Sequence, residues 1–130
     1  MKLIKERSIT VVFDAVSISK DIEILGGSLT QNFYSESRTY IPNRFITPIS
    51  LTPKIYIVDP NNIIPSGDKH EELLECIWYE DGNKIITNDE YKLNKDNTLT
   101  VLKNSEKDFT ISYSAKWLDP RKKQVITVED

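Results

Sequence analysis

Phe109-Thr110-Ile111-Ser112-Tyr113-Ser114-Ala115-Lys116-Trp117 decides the fold class. Phe109, Ile111, Tyr113, Ala115 and Trp117 alternate with Thr110, Ser112, Ser114 and Lys116. Successive side chains of a strand point to opposite faces, so this run predicts a strand with one buried and one wet face. That is the habit of antiparallel sheets. Asp119-Pro120 should stop the strand, and the apolar stripe is expected to close against the sheet that holds Trp78.

Outward from this strand, alternation recurs. Toward the C-terminus, Val125 to Val128 reads as a last strand. Toward the N-terminus, strands are expected at Thr98 to Leu102, Tyr91 to Leu93, Lys84 to Ile86, Glu75 to Tyr79 and Lys54 to Val58. Earlier still come Leu29 to Tyr34, Ile22 with Ile24, and Ile9 with Val11 and Phe13. Asp81-Gly82 and Gly26-Gly27 mark tight turns, because glycine accepts positive φ without strain. One helical turn is expected within Lys69 to Cys76. Short strands with turn signals roughly every ten residues predict an antiparallel sandwich or barrel, not βαβ units.

Residues 35–48 break the pattern. Pro42 and Pro48 lack the donors a ladder needs, and Ser35, Ser37, Arg38, Tyr40, Asn43 and Arg44 surround them. We expect an extended, poorly paired connection. This divides the chain into N-terminal strands and an extended arm over 1–48 and a sandwich over 49–130, with the option that both pack as one unit.

The composition limits the function classes. The 130 residues carry 17 basic and 20 acidic side chains, for a net charge of −3. A dedicated nucleic-acid binder would show a basic stripe, and the one basic run, Arg121-Lys122-Lys123, reads as a solvated turn. No window approaches the ~20 apolar residues of a membrane helix, so no membrane insertion is expected. The start, Met1 to Arg7, is charged with no apolar stretch behind it, so no signal peptide is expected and synthesis is assigned to a cytoplasm. The single cysteine, Cys76, excludes an internal disulfide.

Catalytic groups are not evident. A nucleophile-based hydrolase needs a base and an orienting group beside its nucleophile. The one histidine, His70, lies in the polar loop Ser66 to Glu72, where a solvated side chain is expected. Cys76 is expected as a small buried thiol beside Trp78. One Cys and one His cannot build an ordinary zinc site. Asp59, Asn61 and Asn62, and again Asn94, Asp96 and Asn97, are rich in oxygen but lack the spacing of a calcium loop, so they read as Asx turns. With four glycines there is no phosphate loop. No catalytic, cofactor-binding or metal residue is therefore assigned. Interaction is left, and Arg38, Tyr40, Pro42, Arg44 and Phe45 are the candidate contact residues, because aromatic and arginine side chains anchor interfaces.

Two stretches carry resemblances. Cys76-Ile77-Trp78-Tyr79-Glu80-Asp81-Gly82, then Leu99-Thr100-Val101, Asp108 and Tyr113-Ser114-Ala115, resemble the central strands of an immunoglobulin-like domain. That likeness implies a core of Trp78, Leu99, Val101, Ile111, Tyr113 and Ala115, with Tyr113 as a corner tyrosine bonded to nearby backbone. Ala115 stands where antibody domains have Cys, Thr110 stands where Gly is usual, and the Asp-to-Tyr spacing is one residue long.

Tyr40-Ile41-Pro42-Asn43-Arg44-Phe45-Ile46-Thr47-Pro48, Leu51-Thr52-Pro53-Lys54, Asp59-Pro60 and Trp117-Leu118-Asp119-Pro120-Arg121 resemble structural proteins of phages and prophages of gut bacteria. This second likeness implies a non-enzymatic virion module, capsid- or tail-associated. Its partners would be other virion proteins or copies of itself, in a homo-oligomer within the particle. The alternative is a cell-surface adhesion or carbohydrate-binding module of the same fold.

Overall fold

The computed structural model describes residues 13–129. Ile9 and Val11 of the first expected strand lie outside the described residues, and Phe13 is not in a strand. Eleven strands follow: β1 (Ser17–Leu25), β2 (Asn32–Tyr34), β3 (Thr39–Ile41), β4 (Ile49–Val58), β5 (Gly67–Asp68), β6 (Glu75–Glu80), β7 (Asn83–Lys84), β8 (Tyr91–Leu93), β9 (Leu99–Val101), β10 (Ile111–Asp119) and β11 (Gln124–Glu129). The expected helical turn is a single 3-10 turn, His70–Glu72.

Two antiparallel sheets hold most of them. The first runs β1-β4-β9-β8, with β5 also on β4; the second runs β11-β10-β6-β7. β2 and β3 form a separate hairpin. The sheets share one core: Ile49, Leu51, Ile55, Ile57, Leu99 and Val101 from the first, and Trp78, Tyr113, Ala115, Trp117 and Val128 from the second. The protein is an all-β antiparallel sandwich, as alternation predicts.

The partner of the apolar stripe differs from expectation. Tyr113 lies opposite Trp78 in the β10–β6 register, their rings 5.3 Å apart, so both belong to one sheet. The stripe closes against β4 and β9 instead. Alternation fixes which face a residue occupies but does not say which strand lies beside it. Phe109 precedes the strand, because Asp81 ties down the chain there: its N–H donates to the Thr110 carbonyl and its carboxylate accepts the Thr110 N–H.

The buried aromatics also fasten one sheet to the other. The Trp78 Nε1–H donates to the Asn97 carbonyl at 3.0 Å. The Tyr91 hydroxyl donates to Glu80 at 2.8 Å. The Tyr113 hydroxyl reaches the Lys54 carbonyl at 3.2 Å, with the Asp21 carbonyl at 3.4 Å. It therefore reaches across the sandwich, to backbone distant in sequence, where the corner reading implies a bond to nearby backbone. A buried ring with a satisfied polar tip is held in both position and orientation.

β1 pairs with β4 along nine residues, from Ser17↔Val58 to Leu25↔Ser50. The division after residue 48 thus falls in the connection between two paired strands of one core. β4 also runs through Pro53, where the sequence suggests a start at Lys54. Ile55 N–H donates to Asp68 Oδ1, on the side away from β1. Residues two apart on a strand face their backbone groups the same way, so the donor that Pro53 lacks faces that side too. There β9 pairs with 49–51 and β5 with 56–57, leaving Pro53 in the gap. No ladder bond is lost.

Candidate interaction surface

The connection between β1 and β4 spans residues 26–48. It opens at Gly26 and Gly27, both at positive φ. At Gly27 a Cβ would stand 2.9 Å from Ile49 Cγ1, so the position needs glycine for both conformation and space. The chain then forms the β2–β3 hairpin, with Phe33 and Tyr40 paired and their rings 4.8 Å apart. The Ile41–Pro42 bond is cis. Asn43 closes the next turn, its carbonyl accepting from Ile46 and Thr47 N–H and its side chain from Phe45 N–H. The expected unpaired arm is thus a hairpin followed by a turn.

Arg44 fastens this connection to the sandwich. It is only 4% exposed. Its guanidinium donates to Gln31 Oε1 and the Lys103 carbonyl, both at 3.2 Å, and to the Leu29 and Ser28 carbonyls at 3.2 and 3.4 Å. Its backbone N–H donates to Asn104 Oδ1 at 2.9 Å. Gln31 also bonds the Pro42 carbonyl and Asn104, and accepts from Ser105 N–H. The Phe109 ring lies 5.8 Å from the Arg44 guanidinium and 5.0 Å from Lys103 Nζ. Burial lowers the Arg44 pKa from its usual high value.

Behind this fastening a cleft of about 650 Å³ opens between the sheets. Ile22, Ile24, Ile49, Leu51, Val101 and Ile111 give it apolar walls. Arg44 and Phe109 line it too, and Glu106, Lys107 and Asp108 stand exposed at its rim.

The five candidate contact residues have different fates. Arg38 is exposed at the hairpin tip, with φ 52°. Tyr40 and Pro42 are half-buried. Phe45 is exposed. Arg44 faces inward as a structural tie, so it cannot anchor an outside partner as part of an exposed face. The other exposed apolar side chains here, Leu29, Tyr34, Ile41 and Ile46, were not singled out by residue type. Their one signal was large apolar residues in a stretch rich in Ser, Pro and Asn.

Two other polar clusters are internal. In the run 121–123 only Lys122 and Lys123 are solvated. The Arg121 side chain is wholly buried, donating to Asp119 through Nε and a terminal nitrogen at 3.1 and 2.8 Å and to Asp59 at 2.6 Å. Asp59 further accepts the N–H groups of Asn61, Ile63 and Ile64. Burial opposes its charge, but these N–H groups and Arg121 outweigh that and hold its carboxyl below the usual range. Hydrogen bonds from Arg121, against some desolvation, do the same for Asp119. The oxygen-rich cluster at 59–62 therefore already holds a cation, the guanidinium. At 94–97 the Asp96 carboxylate caps Thr98 N–H and accepts its hydroxyl, the Asx turn expected.

His70 is not solvated as the sequence suggests. Its Nδ1 bonds Asp68 Oδ2, and the pair is mostly buried. Asp68 also bonds Lys54 and accepts the Ile55 and His70 N–H groups. Among the described residues no hydroxyl or thiol bonds the His70 ring, so the pair does not continue to a nucleophile.

Neither a family model, nor a curated protein, nor a solved structure matches this chain.

Proposed function

We propose that the chain is a non-enzymatic, immunoglobulin-like assembly module of a phage or prophage particle, which contacts copies of itself or other virion proteins through the 26–48 connection. The observation that carries this reading is the apolar surface of that connection. Leu29, Tyr34, Ile41, Phe45 and Ile46 are all exposed, Ile46 by 80% and Leu29 by 67%. Exposed apolar groups concentrated in one place mark interaction sites. The surface is also mounted rigidly, since Arg44 and Gln31 bond Lys103, Asn104 and Ser105 in the body of the sandwich. A preformed surface loses less entropy on binding than a loose arm.

The strand order supports the immunoglobulin-like part of the reading. β1-β4-β9-β8 facing β11-β10-β6-β7 follows the arrangement of four strands against three, plus one short added strand, used by such sandwiches. The virion part rests on the resemblance of the segments around Tyr40 to Pro60 and Trp117 to Arg121.

Solution size measurement combined with negative-stain microscopy tests the proposal. Rings, tubes or stable symmetric oligomers of the chain are expected, and the double variant Phe45→Ser, Ile46→Ser should shift them toward monomer. A chain that stays monomeric and binds immobilised glycans would overturn the assembly reading in favour of adhesion.

A further inference from the structure

The two buried arginines are treated differently by the fold. Arg121 has two carboxylates within hydrogen-bond distance. Arg44, equally enclosed, has four neutral oxygens and, among the described residues, no carboxylate partner. Its Nε is buried and, among the described residues, has no hydrogen-bond partner. A charge taken out of water is stable only when paired and fully hydrogen-bonded, so the environment of Arg44 is one negative group short. The residue also lines the 650 Å³ cleft, whose volume falls within the ~300–1,000 Å³ of small-ligand sites. Its walls are mixed: Ile22, Ile24, Leu51 and Ile111 form an apolar part, and Gln31, Asn32 and Ser105 stand with Arg44 as its polar part.

From the uncompensated cation and the apolar walls together, we infer that this cleft is a binding site for an apolar carboxylate, its body between Ile22, Ile24, Leu51 and Ile111 and its anionic end toward Arg44. The site shares Leu29 with the exposed connection but not Phe45 or Ile46, and it does not depend on the assembly reading. Glu106, Lys107 and Asp108 at the rim are exposed and screened by salt. They bear on the rate of approach more than on a carboxylate seated beside a buried cation.

Decanoate below its micellar concentration, titrated into the ¹⁵N-labelled full chain, tests this. Saturable shifts are expected at the Arg44 Nε–H and at the amides of Ile22, Leu51 and Ile111. Decanol and decyltrimethylammonium should bind at least tenfold more weakly. Ile24→Trp narrows the cleft from a partly exposed wall position, keeps Arg44, and should weaken decanoate binding about tenfold. Arg44→Gln, if a thermal melt shows it folded, should remove the preference of decanoate over decanol; if it does not fold, Ile24→Trp and the alcohol control carry the test. A short acetylated Val/Leu peptide with a free C-terminus, compared with its amide, identifies the source. Binding of the free-acid peptide alone assigns the site to a peptide end, and binding of decanoate alone assigns it to a free amphiphile; either supports an apolar-carboxylate site. Decanol binding as tightly as decanoate, shifts located elsewhere, or no saturable shift with either carboxylate would overturn it.

Discussion

The two ends of β4 differ in how they hold a guanidinium. Beyond Val58, Arg121 is clamped by Asp59 and Asp119, which join the loops leaving β4 and β10. Before Ile49, Arg44 meets carbonyls, Gln31 and an aromatic ring, and the cleft opens beside it. One end is electrostatically closed. The other is held by hydrogen bonds from the guanidinium to neutral oxygens and keeps space between the sheets. The contrast shows that burial alone does not fix what a charged side chain does; the charge state of its partners does.

Removing each arginine should break the comparison most severely at the closed end. Arg121→Met strands two buried carboxylates, the situation in which deleting one partner costs most. We expect a fall in Tm of about 10 °C or more, read by circular dichroism. Arg44→Met leaves only neutral oxygens behind. It also removes four guanidinium hydrogen bonds, so its cost should be about 2–3 kcal/mol, with a smaller fall in Tm than Arg121→Met.

Acid sharpens the same contrast. The Asp59 and Asp119 carboxyls are held below their usual range. A depressed carboxyl binds fewer protons folded than unfolded. Its contribution is thus complete above the unfolded value of about 3.9 and is lost as pH falls through the lower folded value. In Arg121→Met the same carboxyls lose the guanidinium and keep the burial that raises them, so the Tm gap to the unmodified chain should be widest near pH 7 and narrow as pH falls toward about 4. A gap independent of pH would show that the clamp works by packing and not by charge.

Smaller effects lie in the connection and the basic turn. Gly27→Ala forces a side chain onto a φ of +73° and toward Ile49 Cγ1, and should cost about 1 kcal/mol. That cost loosens the open end only, so the Arg44 Nε–H should exchange faster with solvent while the Arg121 Nε–H does not. Lys122→Ala, one residue from the clamp but solvated, should stay within about 0.5 kcal/mol.

Most of the sandwich was legible because alternation writes burial directly into residue type. β10, β6, β8, β9 and β11 were readable in this way, as was the Asp81-Gly82 turn. What alternation omits is adjacency, which is why Trp78 was expected across from the Tyr113 stripe and not beside it. Pro53 shows a second limit, since a proline excludes a strand only where its missing donor would have had a partner.

The connection was harder to read. Pro42 and Pro48 correctly mark broken pairing, but just before them the Phe33–Tyr40 pair belongs to a short hairpin held by a contact that no single residue announces. The arginines were the least legible, because residue type assigns charge to the surface. Asp59-Pro60 and Asp119-Pro120 were readable as strand stops from their prolines. That the aspartates also receive Arg121 depends on β4 and β10 ending at the same edge of the molecule, a fact of topology and not of local sequence.

Cys76 sits on the core face of β6, opposite Ala115 of β10. Burial pushes its thiol up to about 12, so roughly one molecule in a hundred thousand carries the thiolate at pH 7. The side chain is only partly buried, so scarcity of thiolate, more than access, limits an alkylating reagent. The lone sulfur is in effect a gauge set into the flank of the second sheet, and its labelling rate reports how far local loosening returns the thiol toward its ordinary acidity.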